Sequence, residues 1–373
     1  MRKERRQTSD IAVIGAGIMG ASAAWALSSR GFHVRVFEQF DTGHARGSSH
    51  GASRIFRLIY EEADYVRLAQ ASLPLWRELE RTSGTKLLHT TGSLAFGPPS
   101  TLESFERALQ TAGAEHQRLS PTEIAKSFPG YALDSGVEAL YQRDGGVILA
   151  DQARTAFLQL ARENGATILE RTPVTGLRPQ DDGSVTLDTG SGSFRAECAV
   201  VAPSGWATRL LDPLGLRIAI RVTREQVSYF RLREGHEILP CFFEGYGSPI
   251  GAYVVPSAQN GEVKVGAHGT GAEIDPDEDG TVDPVRVEEL SRFVADHLPS
   301  LEAHPLWSET CLYASTPDDD FVLDRVGGLV IGVGFGGHGF KFAPAIGRMI
   351  ADLVEGREGA SSERFAHSRA VLR

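Results

Sequence analysis

Apolar positions along the chain fall into short runs separated by glycine-rich turns, and the first such runs set the pattern. Ile11-Ala12-Val13-Ile14 is uninterrupted, as in a fully buried strand. It ends at Gly15-x-Gly17-x-x-Gly20, which opens an alanine-rich helix stopping near Arg30-Gly31; a second strand, residues 33–37, closes on Glu38. Residues 43–57 read as a polar, glycine-rich loop ending in two arginines, Arg54 and Arg57. Helical spacing runs over residues 64–80 through Leu68, Ser72, Leu75, Trp76 and Leu79, with Pro74 expected to kink or split that helix. Residues 87–96 read as strands around Thr91-Gly92, and Ser120-Pro121-Thr122-Glu123 as a capping box opening a helix. Asp151 is the expected N-cap of a helix over residues 152–164, stopped by Gly165.

Short strands at 167–169, 174–177, 185–187 and 194–196 form a meander that feeds an apolar strand at 198–202. A small-residue joint, Pro203-Ser204-Gly205-Trp206, comes next, with a short helix carrying Leu210 and Leu211. Residues 218–266 are mostly strand, with turns at Glu234-Gly235 and Asn260-Gly261. Residues 275–279 read as a solvated acidic loop, and Asp283-Pro284 caps a helix through Val287, Leu290, Phe293, Val294 and Leu298. A buried strand at 328–334 runs into the glycine-rich stretch 334–344 and a helix over 345–355. Both ends of the chain thus supply strand–glycine–helix joints to one sheet, and the middle must be inserted between them. The expected class is α/β (α+β): a discontinuous Rossmann-like domain with a mixed antiparallel-sheet second domain.

The chemistry of the first joint comes from its spacing. Gly15 suits the sharp turn, Gly17 the close approach of a pyrophosphate, and Gly20 helix–strand packing, with the pyrophosphate on the helix N-terminus. Glu38 is placed to hold a ribose hydroxyl pair and disfavours a 2′-phosphate, so NADP is not expected; NAD and FAD both remain open on this stretch. The stretch at 203–206 suits a second backbone contact with the dinucleotide, and the His- and Arg-rich loop a cover over cofactor or anion.

Length and composition narrow the class. The 373 residues, 41% hydrophobic and 23% charged, suit a soluble globular protein of two domains. A formal charge of −10 argues against nucleic acid as a partner. Cys198, Cys241 and Cys311 lack metal-type spacing and cannot all pair, which points to free thiols in a reducing compartment and to no metal site. The basic MRKERRQTS is expected to be a short disordered tail and not a secretion signal, because Asp10 and three ordered glycines interrupt the apolar run beyond it. With no run apolar enough to span a membrane, a cytoplasmic location is expected.

GAGIMG (residues 15–20), GSSHGASRIFR (47–57), KVGAH (264–268), CLY (311–313) and GFGGHGFKF (334–342) together resemble the monomeric sarcosine oxidase group of the glycine oxidase/D-amino-acid oxidase flavoprotein superfamily, over nearly the whole chain. The resemblance implies FAD in place of NAD, joined through its 8α-methyl to Cys311. It implies Arg57 and Lys341 as a substrate-carboxylate clamp, and His268, Tyr253 and Tyr313 on the substrate side of the ring. Lys264 falls where oxygen reduction is assisted, and Arg54 and His50 lie at the flavin. Position 49 is Ser where the sarcosine oxidases often carry a second His, which bears on any narrow sarcosine preference. Further cofactor contacts are implied at Gly15, Gly17, Ile18, Met19, Gly20, Glu38, Gln39, Ser48, Val174, Gly205, Trp206, Gly334, Gly337, Gly339 and Lys341.

Residues 8–85, 150–217 and 311–373 are the expected FAD-binding domain, and 86–149 and 218–310 the substrate domain. The implied activity is oxidation of N-methyl or N-alkyl amino acids to an imine, with O2 reduced to H2O2 by a monomer whose partners are a small amino acid and O2. Oxidation of cyclic imino acids or fructosyl amino acids, an FAD dehydrogenase that does not use O2, and a degenerate flavoprotein with a binding role are the alternatives.

Overall fold

The computed structural model describes residues 10–133, 136–236, 239–244, 251–257, 261–369 and 372. Its first sheet has six strands in the order Val322–Val326, Leu329–Val333, Cys198–Val201, Asp10–Ile14, His33–Phe37, Thr167–Leu169. All neighbours run parallel except the first pair, so chain ends and middle meet in one sheet. The helix Ile18–Ser29 is buried on every face but its last residue, wedged between the helices Ala343–Val354 and Ala150–Glu163. That position explains its composition: a helix enclosed all round needs small apolar side chains all round. At one crossing Ser22 Oγ donates to Ala343 O at 2.7 Å, and a Cβ at Gly347 would stand 2.2 Å from Ser22 Oγ.

The second sheet is larger and mixed, with Ala272–Glu273, Arg221–Leu232, Glu262–Ala267, Ala252–Pro256, Cys241–Glu244, Ser93–Phe96, Ala139–Gln142 and Gln117–Leu119 in order. Leu301–Ser315 pairs antiparallel along the outer side of Arg221–Leu232 as one continuous strand through residue 311. Cys241–Glu244 and Ser93–Phe96 form its parallel pair. Between the two sheets, Gly146–Leu149 joins Ser53–Phe56 and Leu88–Thr90 in a small antiparallel sheet. Of the four strands expected in the meander, Val174–Pro179, Val185–Thr189 and Gly192–Ala196 form it, whereas Thr167–Leu169 leaves it for the edge of the first sheet, where it pairs parallel with His33–Phe37. Among the described residues no helix is long and apolar enough to cross a membrane.

Several local expectations are corrected. The stretch 43–57 ends as a strand, Ser53–Phe56, because Gly146–Leu149 offers it a ladder. Pro74 does not split the helix Ala63–Ser83; beyond it Trp76 and Leu79 are fully buried and Trp76 Nε1 donates to Lys341 O at 2.8 Å, so tertiary packing holds the second half. Asp151 is not the N-cap, which is Leu149; its carboxylate instead accepts from Gly51 N at 3.2 Å, tying the His- and Arg-rich segment to the helix Ala150–Glu163. The acidic stretch 275–279 is solvent-exposed as expected, and it also carries surface ion pairs: Asp275 and Asp277 hold Arg209 at 2.7 and 2.5 Å, and Asp277 accepts from Trp206 Nε1 at 2.7 Å. The amphipathic helix Pro99–Thr111, with Leu102, Phe105, Ala108 and Leu109 buried, escaped the pattern reading. The capping box at Ser120 and the Asp283 cap form as expected. The basic tail and Asn260 lie outside the described residues.

The first glycines work by contact. Gly15 has φ +95°, and a Cβ on Gly20 would stand 1.9 Å from Gly15 O. Gly20→Ala is therefore expected to cost about 2 kcal/mol through overpacking, whereas Gly190→Ala, with nothing within 4 Å of its Cβ, should stay near wild type. Urea midpoints of the two variants check this; equal midpoints would reject the packing role of Gly20.

Candidate active site

Two cavities meet over the N-terminus of Ile18–Ser29 and share Gly17, Ser48, Ser49, His50, Ala202 and Ser204 in their walls. The one toward the meander holds Gly15, Glu38, Gln39, Val174 and Trp206. Glu38 is fixed there by two backbone donors, Ala16 N at 2.8 Å and Phe40 N at 3.0 Å. Ile18 N, one of the free N–H groups of the helix start, reaches Ser49 Oγ at 3.0 Å. Ser204 takes a positive φ of 53° at the strand-to-helix joint, which turns its backbone toward both cavities. Ser48 Oγ lies 3.0 Å from Ser204 Oγ.

The other cavity runs between the two sheets and gathers Ile18, Met19, Arg54, Arg57, Tyr253, Lys264, His268, Cys311, Tyr313, Gly334, Gly337 and Lys341. Residues far apart in sequence thus share one space. Three implied cofactor glycines do not line either cavity: Gly20 packs on Gly15, Gly205 on Val222 and Pro276, and Gly339 on Phe335.

Cations dominate this space, and dipoles hold them. Arg54 donates to three carbonyls of its own segment, Ser48 O at 2.9 Å, His50 O at 2.7 Å and Ser53 O at 2.8 Å. The Arg57 guanidinium lies between the rings of Phe243 and Tyr60, at 3.9 and 4.2 Å from their centroids. Lys341 Nζ donates to Tyr60 Oη at 2.9 Å and His338 O at 2.7 Å. Burial, then Arg57 and Arg54, holds this amine well below its ordinary value. Lys264 Nζ donates to Ser53 O, and burial followed by Arg54 pushes its pKa down to about 7. Among the described residues none of these four has a carboxylate within ion-pair reach.

The imidazole of His268 opens onto the cavity, yet the protein packed around it, and then Arg57 and Lys341, lower its pKa, so it is neutral at pH 7. Burial raises the phenols of Tyr253 and Tyr313. Their hydroxyls therefore keep their protons. Burial also raises the thiol of Cys311, with Arg54 and Lys264 opposing.

These residues fit a bound FAD. His50 Nε2 meets Thr310 O at 3.0 Å, which leaves the buried Nδ1 as an acceptor with no partner on the wall common to both cavities. Burial, then Arg54, lowers His50, so that nitrogen is free to accept. At Gly337 a Cβ would stand 2.2 Å from Tyr313 Cε2 and 2.6 Å from His268 Cε1, so only glycine leaves the cradle open between those rings. Gly17 offers the helix start no side chain of its own, and that start faces the junction of the two cavities, a site suited to phosphates.

Comparison with known proteins agrees with that fit. The model of the family described as FAD dependent oxidoreductase (DAO) matches residues 10–353. The chain belongs to this family. It is 36% identical over 365 residues to human peroxisomal sarcosine oxidase, covering 92% of this chain and 91% of that one. Monomeric sarcosine oxidase of Bacillus sp. (strain NS-129) is 31% identical over 360 residues, with 92% of each chain covered. The solved open form of NikD, described as an unusual amino acid oxidase essential for nikkomycin biosynthesis, superposes with a TM-score of 0.86 at 30% identity, covering 96% of this chain and 97% of that one. This member of the family is an FAD-dependent amine oxidoreductase acting on CH–NH donors.

Sequence reasoning passed over several residues in and behind the cavity wall. Tyr60 and Phe243 sandwich Arg57, and nothing in their local pattern distinguishes them from core aromatics. Glu309, two residues before Cys311 in the same strand, faces the cavity and accepts from Tyr229 Oη at 2.6 Å. The alternation of that strand was the available signal, since residues 309, 311 and 313 share a face.

Lys264 allows a pH test. Its folded pKa of about 7 lies below the ordinary 10.5, so between those values the unfolded chain binds the extra proton and stability rises with pH. Urea unfolding at pH 7, 8 and 9 is expected to show that slope reduced in Lys264→Met; an unchanged slope would reject the depressed value.

Proposed function

We propose that the chain is an oxidase of secondary, N-methyl or N-alkyl, amino acids that forms an imine and delivers the electrons to O2 as H2O2. The observation that carries this reading is the Arg57–Lys341 pair, a guanidinium and an amine that a bound carboxylate would keep protonated, neither with a carboxylate partner among the described residues, on the same cavity as a neutral His268. Such a pair has the charge and geometry for a substrate carboxylate: Arg57 presents a planar fork, Lys341 a point charge. Phe243 and Tyr60 keep the guanidinium in plane, which lowers the entropy lost on binding. Bound FAD supplies the acceptor for the hydride and passes the electron pair on to O2.

The remaining work falls to the protein. With the carboxylate clamped, the amine sits among cations in a space with little water, and both conditions favour its neutral form. His268 accepts from the amine N–H, while the protonated Tyr253 and Tyr313 hydroxyls donate, so no strong base is required. Lys264, charged below about pH 7, stabilises negative charge developing on oxygen, an electrostatic effect of the oxyanion-hole kind.

Cys311 carries the flavin through an 8α thioether in this reading, which prevents cofactor loss. Residues 8–85, 150–217 and 311–373 form the FAD-binding part, and 86–149 and 218–310 the substrate part. The enzyme acts as a monomer in the cytoplasm, a placement supported by Cys198 and Cys241, buried thiols without a disulfide.

A panel of N-methyl, cyclic and glycated amino acids with peroxide readout tests the activity. N-methyl amino acids should produce peroxide, and Arg57→Ala should raise KM about 10- to 100-fold, the worth of a charge-assisted bond. Dye reduction without peroxide would identify a dehydrogenase instead. Acid precipitation should leave flavin on the pellet, and a colourless pellet would discard the thioether.

A further inference from the structure

Glu225 is a buried carboxylate with no part in the substrate chemistry above. It lies on Arg221–Leu232, is 1% exposed, and stands directly opposite Cys311 in the antiparallel register with Leu301–Ser315. Residues so placed project to one face with β-carbons about 5 Å apart. Cys311 lines the cavity and Glu225 does not, so the carboxylate is shut away from the space the sulfur faces. A buried carboxylate is expensive unless its oxygens find donors.

The donors here are neutral. Thr223 Oγ1 reaches Glu225 at 2.6 Å, Thr270 N at 3.2 Å and Gly271 N at 3.2 and 3.3 Å. Three donors thus make four contacts, two on each oxygen, with Gly271 N shared between them. A Cβ on Gly271 would stand 2.7 Å from Glu225 Oε1, and glycine there lets the backbone close on the carboxylate. Burial raises the Glu225 carboxyl, with these donors opposing, which makes the ionised group a stronger base than an exposed glutamate. Its neighbour needs one: burial raises Cys311, and only a thiolate is a competent nucleophile.

We propose that Glu225 is the base that takes the Cys311 thiol proton as the sulfur bonds to the flavin 8α carbon, so the chain attaches its own cofactor. The inference rests on the thioether reading of Cys311. One C–H bond at the 8α carbon and the S–H bond break, and one S–C bond forms. The C–H proton is released, the thiol proton passes to Glu225, and the electron pair stays on the flavin. O2 then takes up two electrons and two protons as H2O2, restoring the oxidised ring. Glu309 is the competing carboxylate, but it faces the cavity and is already engaged by Tyr229.

The full-length chain, made under riboflavin limitation and then given FAD in air, is followed by the mass of the acid-denatured protein. Wild type should gain the mass of FAD less two hydrogens. Glu225→Gln should bind FAD but gain that mass about 100-fold more slowly, the general-base contribution; Glu225→Asp, which keeps a carboxylate, should fall between. Wild-type labelling rates in Glu225→Gln, or slowing confined to Glu309→Gln, would overturn the proposal. If Glu225→Gln does not fold, a wild-type rate in Glu225→Asp overturns it and a slowed rate supports it. No labelling of wild type would remove the thioether reading itself, an outcome distinct from the others.

Discussion

The antiparallel pairing of Arg221–Leu232 with Leu301–Ser315 is the contact on which the site depends. The pair is long enough to begin in the second sheet and end at the glycine joint of the first, where Ala314 O accepts from Gly336 N at 3.0 Å. Its register sets Glu225 against Cys311 and Thr223 against Tyr313. On the inner side, Arg221–Leu232 pairs with Glu262–Ala267, which sets Tyr229 opposite Lys264. A slip of one residue would turn all these side chains to the other face of the sheet. The pairing therefore does for the reacting groups what the parallel sheet does for the cofactor: it converts strand alternation into a fixed wall.

Electrostatics supplies the second constraint. Arg54, Arg57, Lys264 and Lys341 are held by carbonyls and aromatic rings, and dipoles orient a cation without cancelling its charge. The cavity is thereby left positive in a region of low dielectric, where each charge acts more strongly than it would in water. The same field keeps His268 and His50 neutral, with burial as the larger cause in both. An anionic ligand relieves this field, and a protonated amine worsens it. That asymmetry separates the two ends of an amino acid: its carboxylate is drawn in, and its amine is pressed toward the neutral form.

Much of the architecture was legible in the chain. The first joint, the meander, the capping box at Ser120 and the cap at Asp283 depend on local sterics and on hydrogen bonds within a few residues. The errors came where a distant partner intervened. Ser53–Phe56 looks like loop until Gly146–Leu149 pairs with it, and Asp151 looks like a cap until its carboxylate accepts from Gly51 N. The helix through Pro74 persists because Trp76 is anchored to Lys341, which no local rule expresses.

For the site, the sequence by itself determined which reactive side chains were available and which backbone turns had to be glycine. Gly15 and Gly20 need their identity because a Cβ there meets the chain's own carbonyls, whatever the ligand. Only the tertiary structure decided which of those side chains share a space. The packing of Phe243 on Arg57, and the placing of Glu225 behind Cys311, join segments tens to hundreds of residues apart. Steric requirements act at one residue and leave a mark in its identity. Register and burial act between segments, and they become visible only when the strands are paired.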